Sequence, residues 1–316
     1  MTKRVQILHG ILLLSFYPGV LEGQTWDNGG WGNAWSTSNI WCSNGTPAND
    51  GTADLSFATG FWFNNSSSNA DQVWDLNRLE FTGLFSTHTV TGATLTIRTA
   101  ITHSGFLSSA TISNAIELPN TVTVSNGSSA PITLGGPISG SGGLTKTGTG
   151  SLTIGGSNTY TGPTEVSAGS LVFGSSNVLA DGSEMILSGG TLSLNGNSDT
   201  IGNLTLNSNS TIDLGTGNVD VTFSGATYSG GQLTVTNWNG STLGGGSDQI
   251  QFGSAPSQTF LDNVFWSDRN VTGAKMVGSE IVPVPEPSTI AGGIGLGLVV
   301  LFQLYRKIGS RTVSTD

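Results

Sequence analysis

The chain is poor in charge, poorer still in basic residues and nearly free of cysteine. Only 9% of its 316 residues are Asp, Glu, Lys or Arg, and Cys42 is the single cysteine. One cysteine excludes an internal disulfide, so stability has to come from backbone pairing and burial. Between residues 24 and 287, five basic side chains (Arg78, Arg98, Lys146, Arg269 and Lys275) face 18 Asp and Glu. An acidic surface of this kind repels phosphates and excludes a nucleic-acid partner. Lys146 is the only lysine between Lys3 and Lys275, which leaves no basic cluster for abstracting a proton from an acidic sugar. His88 and His103 stand 15 positions apart with no Cys or Glu at ligand spacing, which argues against zinc.

Long apolar runs are missing except at the two ends. Lys3 and Arg4 precede an apolar stretch at 11–16, and the small residues Gly19 and Gly23 come just before Gln24. That order is the three-part plan of a secretory signal peptide over 1–23, too short for a membrane span. At the far end, Pro283, Pro285 and Pro287 alternate; they fix φ, remove donors and predict an extended, accessible peptide. Residues 288–305 carry no charge over 18 positions. At about 1.5 Å per residue they make roughly 27 Å of helix, enough for a bilayer core near 30 Å. Four glycines (Gly292, Gly293, Gly295 and Gly297) and the lack of an amphipathic face argue against a soluble core helix. Arg306, Lys307 and Arg311 follow, which predicts a cytoplasmic C-terminus and an external remainder.

The tail at 283–311 resembles the PEP-CTERM sorting signal: a Pro-Glu-Pro tripeptide, one apolar span and a basic end, in that order. The resemblance implies processing by an exosortase, a membrane-embedded cysteine transpeptidase of Gram-negative bacteria that make exopolysaccharide. Pro285, Glu286 and Pro287 are then substrate positions of the sorting signal. The resemblance further implies a precursor held in the inner membrane by its C-terminal helix and then delivered to the cell surface or extracellular matrix.

Between the two signals, short aliphatic triplets recur. Leu152-Thr153-Ile154, Leu171-Val172-Phe173, Leu192-Ser193-Leu194, Ile212-Asp213-Leu214 and Leu233-Thr234-Val235 begin 19, 21, 20 and 21 positions apart. A second ladder falls between them, at Thr164-Glu165-Val166, Met185-Ile186-Leu187, Leu204-Thr205-Leu206 and Val221-Thr222-Phe223. Each triplet alternates in, out, in, as a strand with one buried face does. A repeat near 20 residues with glycine turns predicts a parallel β-helix. The competing reading is an antiparallel sandwich, favoured by hairpin signals at Asn126-Gly127 and Asn195-Gly196.

Residues 142–154, Asn158-Thr159-Tyr160-Thr161-Gly162 and 166–171 are similar to the autotransporter-associated β-strand repeat. That resemblance implies an all-β fold, a right-handed parallel β-helix (solenoid) of the passenger type. An autotransporter ends in a membrane β-barrel, whereas this chain ends in one apolar span, so the exosortase route replaces self-secretion. The expected organisation is a signal peptide (1–23), a tryptophan-rich cap (24–80) and the β-helix (81–252), with the repeat near 142–173. A C-terminal cap and linker (253–282) and the sorting signal (283–311), with its transmembrane helix at 288–305, complete it.

Six of eight tryptophans fall between Trp26 and Trp74. They either cover the open end of the solenoid or present sugar-stacking rings, with Trp31, Trp35 and Trp41 the candidate glycan contacts. Trp238 and Trp266 are expected to cap the other end. No residue set stands out for catalysis, cofactor or metal. Asp213 and Asp220 are the best-spaced carboxylates, but Asp213 takes the outward position of its triplet. The stretch from Gly244 to Ile250 approaches a calcium-binding nonapeptide, yet only a single copy is present. The reading is a non-enzymatic exported solenoid associated with exopolysaccharide. A polysaccharide lyase or glycosidase on the same fold, or a glycan-binding adhesin, are the alternatives.

Overall fold

The computed structural model describes residues 6–8, 11–13, 24–26, 34–36, 46–57, 66–83, 87–105 and 107–284. Gln6–Leu8 and Ile11–Leu13 pair antiparallel. From Gln24–Trp26 onward, strands join their neighbours one coil away in parallel register. The result is an all-β parallel solenoid of about eight turns.

The coils that begin at Ile116 and Ile138 have three short β segments, and later coils such as Thr164–Val166 with Ser170–Phe173 lack the first. The first two belong to a 15-stranded sheet and the third to an 11-stranded sheet. In Trp74–Phe81 and Leu95–His103 the first two segments run together through a register shift between Leu76 and Arg78. In the next coil they separate into Ile116–Glu117 and Val122–Asn126. Inward residues stack in columns about 4.8 Å apart. Ile112, Leu134, Ile154 and Phe173 form one such column on the third face, and none of the four is more than 1% exposed. Fully burying each aliphatic chain is worth about 1.5–3 kcal/mol, which lets a chain with one cysteine hold its shape.

Parallel pairing across the middle of the chain replaces the sandwich reading. The hairpin signal at Asn195-Gly196 makes a corner instead: Asn195 and Gly196 have φ of 51° and 79°. They turn the chain from Thr191–Ser193 in one sheet to Asp199–Leu206 in the other. Two register expectations shift as well. Ile212 pairs with Val235 rather than Leu233, because this coil advances 23 residues where the one before it, from Leu192 to Ile212, advances 20. Val221-Thr222-Phe223 sits beside Asp199-Thr200-Ile201 on the first segment, and Leu204 is continued by Ala226. Coils also reach into the stretch read as a cap, since Asp54–Phe57 and Trp74–Phe81 are already in the parallel ladder.

Corners bury polar groups, and side chains there stitch one coil to the next. Asn158 Oδ1 accepts from Ile138 N at 2.8 Å, and its Nδ2 donates to Val178 O at 2.9 Å. Asp199 Oδ2 accepts from Val178 N at 2.8 Å and Leu179 N at 3.0 Å. Burial lifts the Asp199 carboxyl above its ordinary range, against the pull of those amides. Asp199→Ala orphans two buried N–H groups and is expected to cost about 2–4 kcal/mol. Asp199→Asn keeps an acceptor and sheds the buried charge, so it should stay within about 1 kcal/mol of the parent. Urea unfolding of both variants checks this; equal losses would mean that the carboxylate charge, not the acceptor, matters.

The C-terminal end is closed by antiparallel pieces. Val264–Trp266 still adds in parallel to Leu233–Thr236, then pairs antiparallel with Val271–Thr272. The hairpin of Ala274–Val277 and Glu280–Pro283 lies against Gln249–Phe252. A short helix, Gln258–Asp262, starts at Ser257, whose Oγ accepts from Phe260 N. It drops Phe260 onto Phe252, ring centroids 5.8 Å apart. Ending parallel rungs with antiparallel strands and rings removes the open edge that would otherwise recruit another chain. Among the described residues no helix is long and apolar enough to cross a membrane; the apolar span at 288–305 lies outside them.

Candidate functional site

Lys146 is a core residue. Alternation in Leu144–Thr147 points Leu144 and Lys146 inward, and Lys146 stands in register between Val124 and Val166 with 0% exposure. Its Nζ donates to Thr147 O at 2.7 Å, Gly148 O at 2.9 Å and Ala168 O at 3.2 Å. Burial pushes the ammonium down to about 8, so at neutral pH it keeps its proton and uses all three donors. The glycines around it have steric reasons. Gly148 and Gly169 have φ of 72° and 66°, and a Cβ on Gly169 would come within 2.8 Å of Nζ. The Lys-Thr-Gly-Thr-Gly string is therefore a lysine that ties off the carbonyls of its own corner. All three of its donors are committed to backbone carbonyls.

The same seam continues toward the N-terminus. Asn126 Oδ1 accepts from His103 Nδ1 at 3.1 Å and Ser128 N at 3.0 Å. Asn126 Nδ2 donates to Ala130 O and Ser151 O, and Ser108 Oγ lies 3.0 Å from His103 Nε2. His88 is also buried, its ring 4.4 Å from Phe57 and 5.5 Å from Phe81. Burial lowers the His88 pKa to about 4. The folded chain therefore binds fewer protons than the unfolded one between pH 4 and 6.5, and stability falls as pH drops through that window. The loss amounts to about 3 kcal/mol at most. Thermal unfolding of the parent and of His88→Leu at pH 7 and pH 4.5 checks this, since the difference between the two should shrink or reverse in acid.

The remaining candidates separate in space. Asp213 faces outward from the third face, held by Ser193, Thr236 and Asn237. Asp220 opens a strand of the other sheet, where Gln251 binds it, so the two carboxylates sit on different sheets with different partners. In the glycine loop, Asp248 Oδ1 accepts from Val219 N and its Oδ2 from Asn239 N. Both oxygens are committed to backbone rather than free for calcium. Among the described residues no three or more His, Cys, Asp or Glu gather as a metal site.

Trp35 is fully buried. Its ring lies 5.6 Å from Phe57 and 5.8 Å from Trp74, and its backbone N–H donates to Asn69 O. No face of that ring is left for a sugar. Trp31, Trp41, Pro285, Glu286 and Pro287 lie outside the described residues. At the other end Trp238 and Trp266 are buried with centroids 4.8 Å apart, and Arg269 lies over Trp238 at 5.3 Å.

The outer surface is divided by chemistry. Outward groups of the first sheet pair with one another: Asp54 with Arg78 at 3.2 Å, and Asp75 with Arg98 through two bonds of 2.7 and 2.6 Å. Thr96 donates to Glu117, and Thr205 to Glu184. The third face carries no charged outward residue from Thr87–Gly92 through Thr191–Ser193. One of its columns holds Thr89, Thr111, Thr133 and Thr153 in direct register. Among the described residues these four hydroxyls have no protein partner. Polar outward positions were expected from the triplets; their gathering on one face was not. The Ser-x-Thr spelling of Ser109-Ala110-Thr111 and Ser151-Leu152-Thr153 was the available signal.

Residues 144–173 match the family model of the passenger-associated-transport-repeat. Neither the curated proteins nor the solved structures contain a match to the chain. The matched segment runs from Leu144–Thr147 through Ser151–Ile154 and Thr164–Val166 to Ser170–Phe173. It spans one complete coil and the start of the next, with Lys146 at its corner. Repeat and fold together fit a surface-exposed, passenger-like β-helix.

Proposed function

We propose that this chain is an exported, non-enzymatic β-solenoid, sorted to the cell surface or matrix by an exosortase and associated there with exopolysaccharide. The observation that carries the reading is the passenger-type repeat folded as a coil of a continuous parallel rod. Such a rod is stiff because each coil hydrogen-bonds two others, and it needs no cofactor to act as a spacer or display surface. The apolar run at 11–16 and the tail at 283–311 supply a route: entry by a signal peptide, a stay in the inner membrane through 288–305, then release near Pro285-Glu286-Pro287. The polar outer residues support contact with glycan through many weak hydrogen bonds.

Fractionation of cells that contain an exosortase tests the route. The parent is expected in the surface or extracellular fraction. A variant with Pro285, Glu286 and Pro287 all changed to Ala is expected to remain in the inner membrane at its precursor mass. Equal release of both would remove the sorting step. Loss of matrix retention after enzymatic removal of the polysaccharide supports the association, and unchanged retention rules it out.

A further inference from the structure

We infer that the third face of the solenoid is a docking strip for a neutral, extended polysaccharide chain lying parallel to the rod axis. This rests on the polysaccharide association proposed above and gives it a place, an orientation and a charge class. Three observations lead there. The strip is uncharged over six successive rungs, whereas carboxylates populate the flanking sheet. Its hydroxyls at Thr111, Thr133 and Thr153 make no bond to the protein, although Ser109 bonds Thr87 and Ser193 bonds Asp213 on the same face. A second column, Ser151, Ser170 and Thr191, takes over where Val172 interrupts the first, the two sharing the Ser151–Ile154 rung.

The two columns lie about 7 Å apart, two residues at roughly 3.3–3.4 Å each, and repeat about every 4.8 Å along the axis. An equatorially linked pyranose chain advances by close to one rung per sugar, so each sugar meets at least one outward Ser or Thr hydroxyl. Acidic glycans are disfavoured by a chain of net charge −10. Among the described residues the six rungs present no outward aromatic ring. Single contacts are therefore weak, and affinity must come from their number.

The test uses the full chain in a polyoxyethylene detergent, run on native gels cast with hydroxyethylcellulose, a neutral galactomannan or polygalacturonate. The parent is expected to be retarded by at least one neutral polymer and not by polygalacturonate. Cello-oligosaccharides should compete with rising strength up to about six sugars, one per rung. Changing Thr111, Thr133 and Thr153 together to Val keeps strand propensity and should weaken retention by about tenfold. Thr133→Lys, which adds one charge to the strip, should do the same, while Thr123→Val with Thr145→Val on the other sheet should leave it intact. Retention by the strip variants equal to the parent's overturns the face assignment while leaving the association standing. Unretarded parent protein in both neutral gels overturns the inference, and normal surface delivery of that protein would keep the sorting route intact. Ice shaping by the parent, lost in the valine variant without any glycan retention, overturns it in favour of an ice lattice.

Discussion

Lys146→Ala is expected to lower stability by about 3–5 kcal/mol, and Lys146→Met by about half as much. Alanine removes the buried stem and the three donors together, leaving a cavity between Val124 and Val166 and three carbonyls without their hydrogen. Methionine refills the cavity but still orphans the carbonyls. An ammonium this deep costs desolvation, and the three charge-assisted bonds must outweigh that cost for the parent to win. The methionine variant measures that balance directly. Because burial holds the folded pKa near 8, below the ordinary 10.5, the folded state binds fewer protons between those values. The parent should therefore gain on Lys146→Met as pH rises from about 8 to 10.5, and lose that advantage as pH falls back to 8. Denaturant midpoints of the three proteins across pH 7–10.5 read both effects. A methionine variant as stable as the parent at pH 7 would mean that the carbonyls are content without the lysine.

Lys146 also shows how far the chain could be read before its fold was known. The in-out-in pattern of Leu152-Thr153-Ile154 or Met185-Ile186-Leu187 reports burial directly, because period-two alternation has a single solution against a solid core. Those triplets landed where expected. The same alternation put Lys146 inward, but a lysine at an inward position reads as an error until the corner carbonyls that receive it are known. Registers were legible only while loops kept one length, so they slipped at Val235, beyond the longer loop. Corner polar groups such as Asn158 and Asp199 escaped notice because their partners are backbone amides a full coil away, which no local pattern encodes. The hydroxyl strip was missed for a similar reason. Sequence placed Ser and Thr on the outside, but only register shows that six successive rungs of the third face carry them without a charge.

A rod that behaves as a line of nearest-neighbour units has to fail first at its ends, and this sets what Trp35→Ala should do. Deleting a fully buried indole usually costs about 3–5 kcal/mol. Here the loss falls on contacts with Phe57 and Trp74, in the first coils of the rod. Hydrogen exchange is expected to quicken in Asp54–Phe57, Ser66–Ala70 and Trp74–Phe81. Protection should stay near parental across 144–173, six or more strands further along. Trp31→Ala and Trp41→Ala are the informative companions, because cap and sugar-contact readings of the tryptophan cluster diverge on them. If the cluster serves only to close the end, glycan retention by the intact rod survives all three substitutions, and only the local protection moves. If a variant at Trp31 or Trp41 loses retention with the exchange pattern untouched, that ring touches sugar. Faster exchange spreading evenly through the whole rod in Trp35→Ala would overturn the end-fraying picture, and with it the view of the solenoid as coils that answer mainly to their immediate neighbours.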